Sequence, residues 1–163
     1  MVIISDTTVL IALAKIDSLE LLKKLWQAII IPLGVKEEVI EEKPGGKRIH
    51  QAIEEGWIIV KEIKEIDYLK VLQNHLGFGE AECIALAVEQ KANLIITDDK
   101  KAKNYTKRIG INVMGTLGLI VQAVNECVLT PEEGIKTIER LKEINFRLND
   151  TVVAQAISQI NKH

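Results

Sequence analysis

Asp6, Glu38, Glu80 and the pair Asp98-Asp99 are the residues of this chain with the most chemistry to offer. Asp6 closes a short apolar run, Val2-Ile3-Ile4-Ser5, and Leu94-Ile95-Ile96-Thr97 delivers Asp98 and Asp99 in the same way. An apolar strand ending in an acid is how parallel α/β sheets build sites at their carboxyl edge. Glu38 and Glu80 fall in predicted helices between those two strands. Carboxylates gathered at one edge without a cation cluster repel one another, which is costly unless cations bind. An all-oxygen donor set completed by water suits Mg2+ or Mn2+. The chemistry on offer is that of a divalent-metal site.

The elements that must position these acids alternate strand and helix. Strands are expected at Val2–Ser5, Ala28–Ile31, Trp57–Val60, Leu94–Thr97 and Asn112–Met114. Helices are expected at Thr8–Ala14, Ser18–Leu25, Gly34–Glu42, Lys47–Glu55, Ile66–Leu76, Glu80–Gln90, Lys100–Ile109 and Thr116–Glu126. Two more follow, from the capping box Thr130-Pro131-Glu132-Glu133 to about Glu143, and from about Thr151 to Ile160. Lys43-Pro44-Gly45-Gly46 is the strongest break, and Gly77-Phe78-Gly79 reads as a helix stop. Continuous apolar strands separated by helices indicate a parallel sheet buried on both faces, hence a three-layer α/β/α fold with four or five strands. The 163 residues suit a single domain. Its C-terminal helices, from about residue 116 to 163, either pack back on the sheet or form a dimer surface.

Each acid also has a plain structural role open to it. Asp6 precedes a helix and could cap it. Glu38 sits among Glu37, Glu41 and Glu42, a run that reads as a solvated face. Val35 and Val39 mark the buried stripe of that helix, which turns Glu37 away and leaves Glu38 at the margin, so the acid of this run to reach a site is Glu38 or else Glu42. Glu80 favours the helix dipole in a first turn. It shares a face with Ile84 and Ala87, whereas its competitor Glu82 shares one with Glu89, so Glu80 is expected to point inward. Asp98 or Asp99 could cap the following helix, but two adjacent acids exceed what one cap requires.

Composition narrows the classes. Apolar residues at 47% and charged residues at 27% describe a globular protein, and no apolar run approaches the length of a membrane span. The N-terminus lacks the pattern of a signal peptide, so a cytoplasmic location is expected. Cys83 and Cys127 lie in apolar helical patterns and read as buried, reduced thiols. The three histidines are scattered and build no Cys/His cluster. A net charge of −2 excludes a nucleic-acid binder working by bulk positive charge.

With these residues in place, the chain resembles the PIN domain family, the nuclease module of VapC-type toxins, and in particular a prokaryotic branch commoner in archaea. The resemblance covers most of the chain. It rests on Ile3-Ile4-Ser5-Asp6-Thr7-Thr8, the segment from Ile31-Pro32 to Glu37-Glu38, Gly77-Phe78-Gly79-Glu80-Ala81-Glu82, Leu94-Ile95-Ile96-Thr97-Asp98-Asp99, and the run from Gly110 to Gly118. It implies an Mg2+- or Mn2+-dependent ribonuclease with Asp6 as first acid, Glu38 as second, Glu80 as third, and Asp98 or, slightly favoured, Asp99 as fourth. These carboxylates would be both the metal ligands and the catalytic set for phosphodiester hydrolysis. Typical toxins carry Asp where this chain has Glu80, a ligand longer by one methylene. Thr7 or Thr97 would orient a ligand or water. Lys100 and Lys101, with Lys103, Lys107 and Arg108, would hold the RNA backbone. The family further implies homodimers and, for toxin members, a small antitoxin partner. The alternative is a degenerate module that binds RNA or a protein without cutting. The residues argue against a receiver domain, because the first strand ends in Asp6 alone and Trp57–Val60 runs into Lys61 rather than an aspartate, and against a haloacid-dehalogenase site, because Asp6-Thr7-Thr8 lacks its second acid.

Overall fold

Five short strands, β1 (Ile3–Ser5), β2 (Ile29–Pro32), β3 (Ile58–Lys61), β4 (Leu94–Ile96) and β5 (Asn112–Met114), pair in parallel in the order β3-β2-β1-β4-β5. The structure, a computed structural model, describes residues 1–162. Central β1 is buried at all three positions, and Ile4 lies opposite Ile30 on one side and Ile95 on the other. Isoleucine dominates these strands because a β-branched side chain packs well on a sheet covered on both faces.

Ten helices connect and flank the strands among the described residues. They are α1 (Thr7–Lys15), α2 (Glu20–Trp26), α3 (Leu33–Glu38), α4 (Gly46–Glu55), α5 (Ile66–Gln73), α6 (Phe78–Glu89), α7 (Lys100–Arg108), α8 (Thr116–Asn125), α9 (Pro131–Glu143) and α10 (Asp150–Asn161). The architecture is the expected three-layer α/β/α, with all five strands parallel. Helix α6 packs on β1, β2 and β4 and touches α5 and α7, while α1 packs on α4. A second apolar cluster joins Ala12 of α1 and Ile16, which caps its end, to Ile120, Ile138, Leu141 and Ile160 of α8, α9 and α10. The capping box of α9 forms as the sequence predicts, with Thr130 and Glu133 bonded reciprocally.

The strand order puts a topological switch point beside the centre. The chain proceeds from β1 outward to β2 and β3, then returns to lay β4 on the other side of β1. The loops leaving β1 and β4 therefore diverge, opening a crevice at the carboxyl edge where open α/β sheets bind ligands. Asp6 and Thr97-Asp98-Asp99 are the residues that leave those two strands.

Three expectations are corrected. The helix expected over Gly34–Glu42 ends at Glu38. Val39 turns extended (ψ 103°), buries its side chain, and gives its carbonyl to His50 Nε2 at 2.8 Å. The expected stop at Gly77-Phe78-Gly79 is instead the start of α6, with Gly77 as N-cap, so Glu80 falls on the third helical residue. Cys127, expected to be buried, is exposed, because it follows the end of α8 in a turn with φ at +59°.

The chain between α3 and α4 turns so tightly that Gly46 meets the Ile40 carbonyl group. A Cβ at Gly46 would lie 2.8 Å from the Ile40 carbonyl carbon and 3.0 Å from Glu41 Cα, both backbone atoms that cannot swing aside. Gly46→Ala is expected to destabilise the protein by about 1–3 kcal/mol, the usual cost of overpacking. A urea melt reads this as a lower midpoint, and an unchanged midpoint would show that the turn gives way freely.

Candidate functional site

The site grows from Asp6. It is the N-cap of α1: Oδ1 accepts the Val9 amide at 3.0 Å, and Oδ2 accepts the Thr97 hydroxyl at 2.5 Å. The second bond crosses the switch point, and the Asp6 amide donates to the Ile96 carbonyl at 3.1 Å beneath it. Asp6 is 4% exposed. Burial pushes its carboxyl up from 3.8 to about 6; the Thr97 and Val9 bonds oppose this, and the negative charges of Asp98 and Glu80 add to it.

The pair after β4 divides its labour. Asp99 is exposed, and its Oδ2 accepts the Ala102 amide at 2.8 Å, so it is the N-cap of α7. Asp98 is half-buried and reaches the start of α8, where Oδ1 accepts the Thr116 amide at 2.9 Å and Oδ2 the Thr116 hydroxyl at 2.6 Å. Asp98 is the member of the pair whose charge raises Asp6. The Thr97 hydroxyl serves both sides: it donates to Asp6 and accepts the Asp99 amide at 3.2 Å. Thr97 is buried, and its two bonds hold the loop after β4 against β1.

Two glutamates come to the rim from α3 and α6. Glu38, at the end of α3, is exposed, and its Oε2 accepts the Thr7 hydroxyl at 3.2 Å. It lies over Gly79, where a Cβ would stand 3.1 Å from Oε1. Glu80 is half-buried in the first turn of α6 and folds back over Gly77. A third glutamate, on α6, also belongs here. Glu82, assigned to the polar side by its spacing from Glu89, packs on Gly34 at the start of α3. Its carboxyl is raised by burial and by the charge of Glu38, while a backbone hydrogen bond at Gly34 pulls it back. The polar side of α6 meets backbone as well as solvent. Glu89 also finds backbone, accepting the amides of Lys64 and Glu65.

Cys83 reports how closely these acids gather. It is buried under the rim, with Sγ 3.5 Å from the Ser5 carbonyl. Its thiol is pushed well up, first by burial and then by the charges of Asp6, Glu80, Glu82 and Glu38. Spacing held the clue, since Cys83 follows Glu80 by one helical turn.

The chemistry of the donor set is uniform. All the acidic groups are carboxylates, which match hard divalent cations. Among the described residues, no group of three or more His, Cys, Asp or Glu side chains is close enough together to enclose an ion. A hydrated ion bound through one or two carboxylates, with water reaching the rest, is the form this spacing fits, and Mg2+ characteristically keeps several of its waters. Lys103 places its amino group near Asp98, 2.9 Å from where a Gly115 Cβ would be. Lys100 and Lys101 are exposed in the first turn of α7, Lys101 on the wall of a cavity of about 380 Å3. No helix among the described residues is long and apolar enough to cross a membrane.

A family model described as a PIN domain matches residues 2–162. No curated protein matches the chain.

Proposed function

The chain belongs to the PIN domain family, whose members are generally nucleases, and from that premise we propose that it is a divalent-metal-dependent ribonuclease hydrolysing RNA phosphodiester bonds. The observation that carries this reading is Asp6: a buried carboxylate at the switch point, with the charges of Asp98 and Glu80 upon it. A protein keeps such repulsion where a cation relieves it. Asp6, Glu80 and Glu38 would hold Mg2+ or Mn2+, directly or through its waters, with Asp98 or Asp99 as the fourth acid. When bound, the ion supplies Lewis-acid polarisation of the phosphate and a more acidic water.

The chain's own residues do the rest. Val9 and Thr97 fix Asp6 by both oxygens, so that its orientation does not depend on what binds. Thr7 holds Glu38 by one oxygen, donating its hydroxyl to Oε2. The Thr116 bonds tie Asp98 to α8, so the C-terminal helices steady the rim. Lys100, Lys101 and Lys103 stand on the α7 side, where phosphates of a strand crossing the rim would meet them.

The test is incubation of single-stranded RNA with Mn2+ or Mg2+, with thermal melting of the protein alongside. Expected are cleavage, its loss in EDTA, and a higher Tm with Mn2+. No cleavage with either ion, and a Tm indifferent to both, would overturn the reading. One observation favours a second reading, a module that binds RNA or protein without cutting: the oxygens of Asp6 and Asp98 already serve helix N-termini. RNA binding without cleavage in the same assay would establish it. We extend the first reading to a toxin of a toxin–antitoxin pair, acting in the cytoplasm with a small antitoxin and a second copy of the chain as partners.

A further inference from the structure

Although the chain carries a net charge of −2, one cavity beside the rim is lined by cations and no acid. Its wall is one face of α7, where Lys101, Asn104, Tyr105 and Arg108 recur at helical spacing, and its other side is His75 and Leu76 from the turn before α6. The Tyr105 ring is fixed in place, because its hydroxyl lies 2.9 Å from the Tyr68 hydroxyl of α5. Both walls lead to the carboxylates. Lys101 stands two residues after Asp99, and Leu76 one residue before Gly77, on which Glu80 folds back. Between Leu76 and Glu80 the chain presents Phe78, a side chain 72% exposed. A large apolar ring turned to solvent, two residues along the chain from the cavity wall at Leu76, has no part in the core. Cations alternating with aromatic faces are how proteins hold single strands, through phosphate contacts and base stacking.

We propose that this cavity and Phe78 seat the nucleotides flanking the scissile bond on the α7 side of the rim, with Lys101 and Arg108 on the backbone phosphates and Phe78 under a base. Lys101 and Arg108 are about 10 Å apart along the helix axis, so they meet different phosphates. Asn104 and His75 supply the polar groups that a base edge inside the cavity would use. This rests on the ribonuclease reading and names where that enzyme grips its substrate.

The experiment is fluorescence anisotropy of a mixed-sequence 12-nucleotide RNA, with Ca2+ replacing Mn2+ so that binding is read apart from cleavage. K101A/R108A is expected to weaken binding at least tenfold and to flatten the log–log salt dependence by about 1.4, the loss of two single-strand phosphate contacts. F78A is expected to weaken binding about tenfold with the salt slope unchanged, since stacking releases no counterions. K23A/K24A removes the same charge from α2 and is expected to bind like the wild type. Wild-type affinity in K101A/R108A, or an equal loss in K23A/K24A, would overturn the proposal while the Mn2+ cleavage of the wild type stands. A wild type that neither binds nor cuts RNA would overturn the ribonuclease reading, and this one with it.

Discussion

Asp6→Asn is expected to abolish metal-dependent RNA cleavage, by about a thousandfold or more, while making the metal-free protein more stable at pH 8. The two effects share one cause. Asp6 is buried with its carboxyl raised from 3.8 to about 6, so the folded protein binds that proton more tightly than the unfolded chain does. The corresponding stability is fully present below pH 3.8 and is lost as pH rises through about 6. At pH 8 the ionised carboxylate therefore opposes folding, at most by about 3 kcal/mol for a shift of roughly two units. Asparagine has nearly the same shape and keeps an oxygen for the Val9 amide, but it removes the charge. It cannot accept the Thr97 hydroxyl where Oδ2 does, so the net gain is smaller, about 1–2 kcal/mol or roughly 3–6 °C in Tm. That gain should shrink below pH 6 and disappear near pH 4. Adding Mn2+ should reverse the order, raising the Tm of the wild type and leaving the variant where it was. Melting curves across pH with and without Mn2+ check this. A variant that cleaves at the wild-type rate, or that is less stable at pH 8 than at pH 4 relative to the wild type, would refute the role of Asp6.

The neighbouring pair should separate as sharply. Asp98→Asn is expected to lower cleavage about a hundredfold, and Asp99→Asn only a few fold. Asp98 is the residue whose charge reaches Asp6, and both its oxygens are held by Thr116, so its position is set by α8. Asp99 is exposed and turned toward the Ala102 amide as a helix cap. Asparagine caps a helix about as well as aspartate, so Asp99→Asn should cost only the dipole interaction, roughly 0.3–1 kcal/mol. Steady-state cleavage rates of the two variants decide the matter, and the reverse ranking would place the fourth acid at Asp99.

The sheet was legible because a strand buried on both faces leaves a short continuous apolar run, as at Val2-Ile3-Ile4, Ile29-Ile30-Ile31 and Leu94-Ile95-Ile96. Asp6 and Asp98-Asp99 were legible as the acids those runs deliver. The helix periods around Glu38 and Glu80–Glu82 were less informative. Periodicity tells which side of a helix is apolar, but not whether its polar side meets water or another backbone. Glu82 shows the limit, since Gly34 is brought to it by the fold and lies 48 residues earlier. The end of α3 was equally hidden, because what stops it is the His50 bond to Val39, supplied by α4. The division of labour between Asp98 and Asp99 depended on Thr116, 18 residues on.

The bond between Thr97 and Asp6 spans 91 residues. A ribosome synthesising about 5–20 residues per second releases Asp6 roughly 5–20 s before Thr97 follows it. Throughout that interval β1 lacks its β4 neighbour, and the acid destined for the centre of the rim is an ordinary exposed carboxylate. Since β4 completes the crevice only after β2, β3 and α6 have been made, no shorter nascent fragment carries an assembled site. The acids of the rim therefore stay dispersed along the growing chain and converge only once β4 has followed β1, β2 and β3.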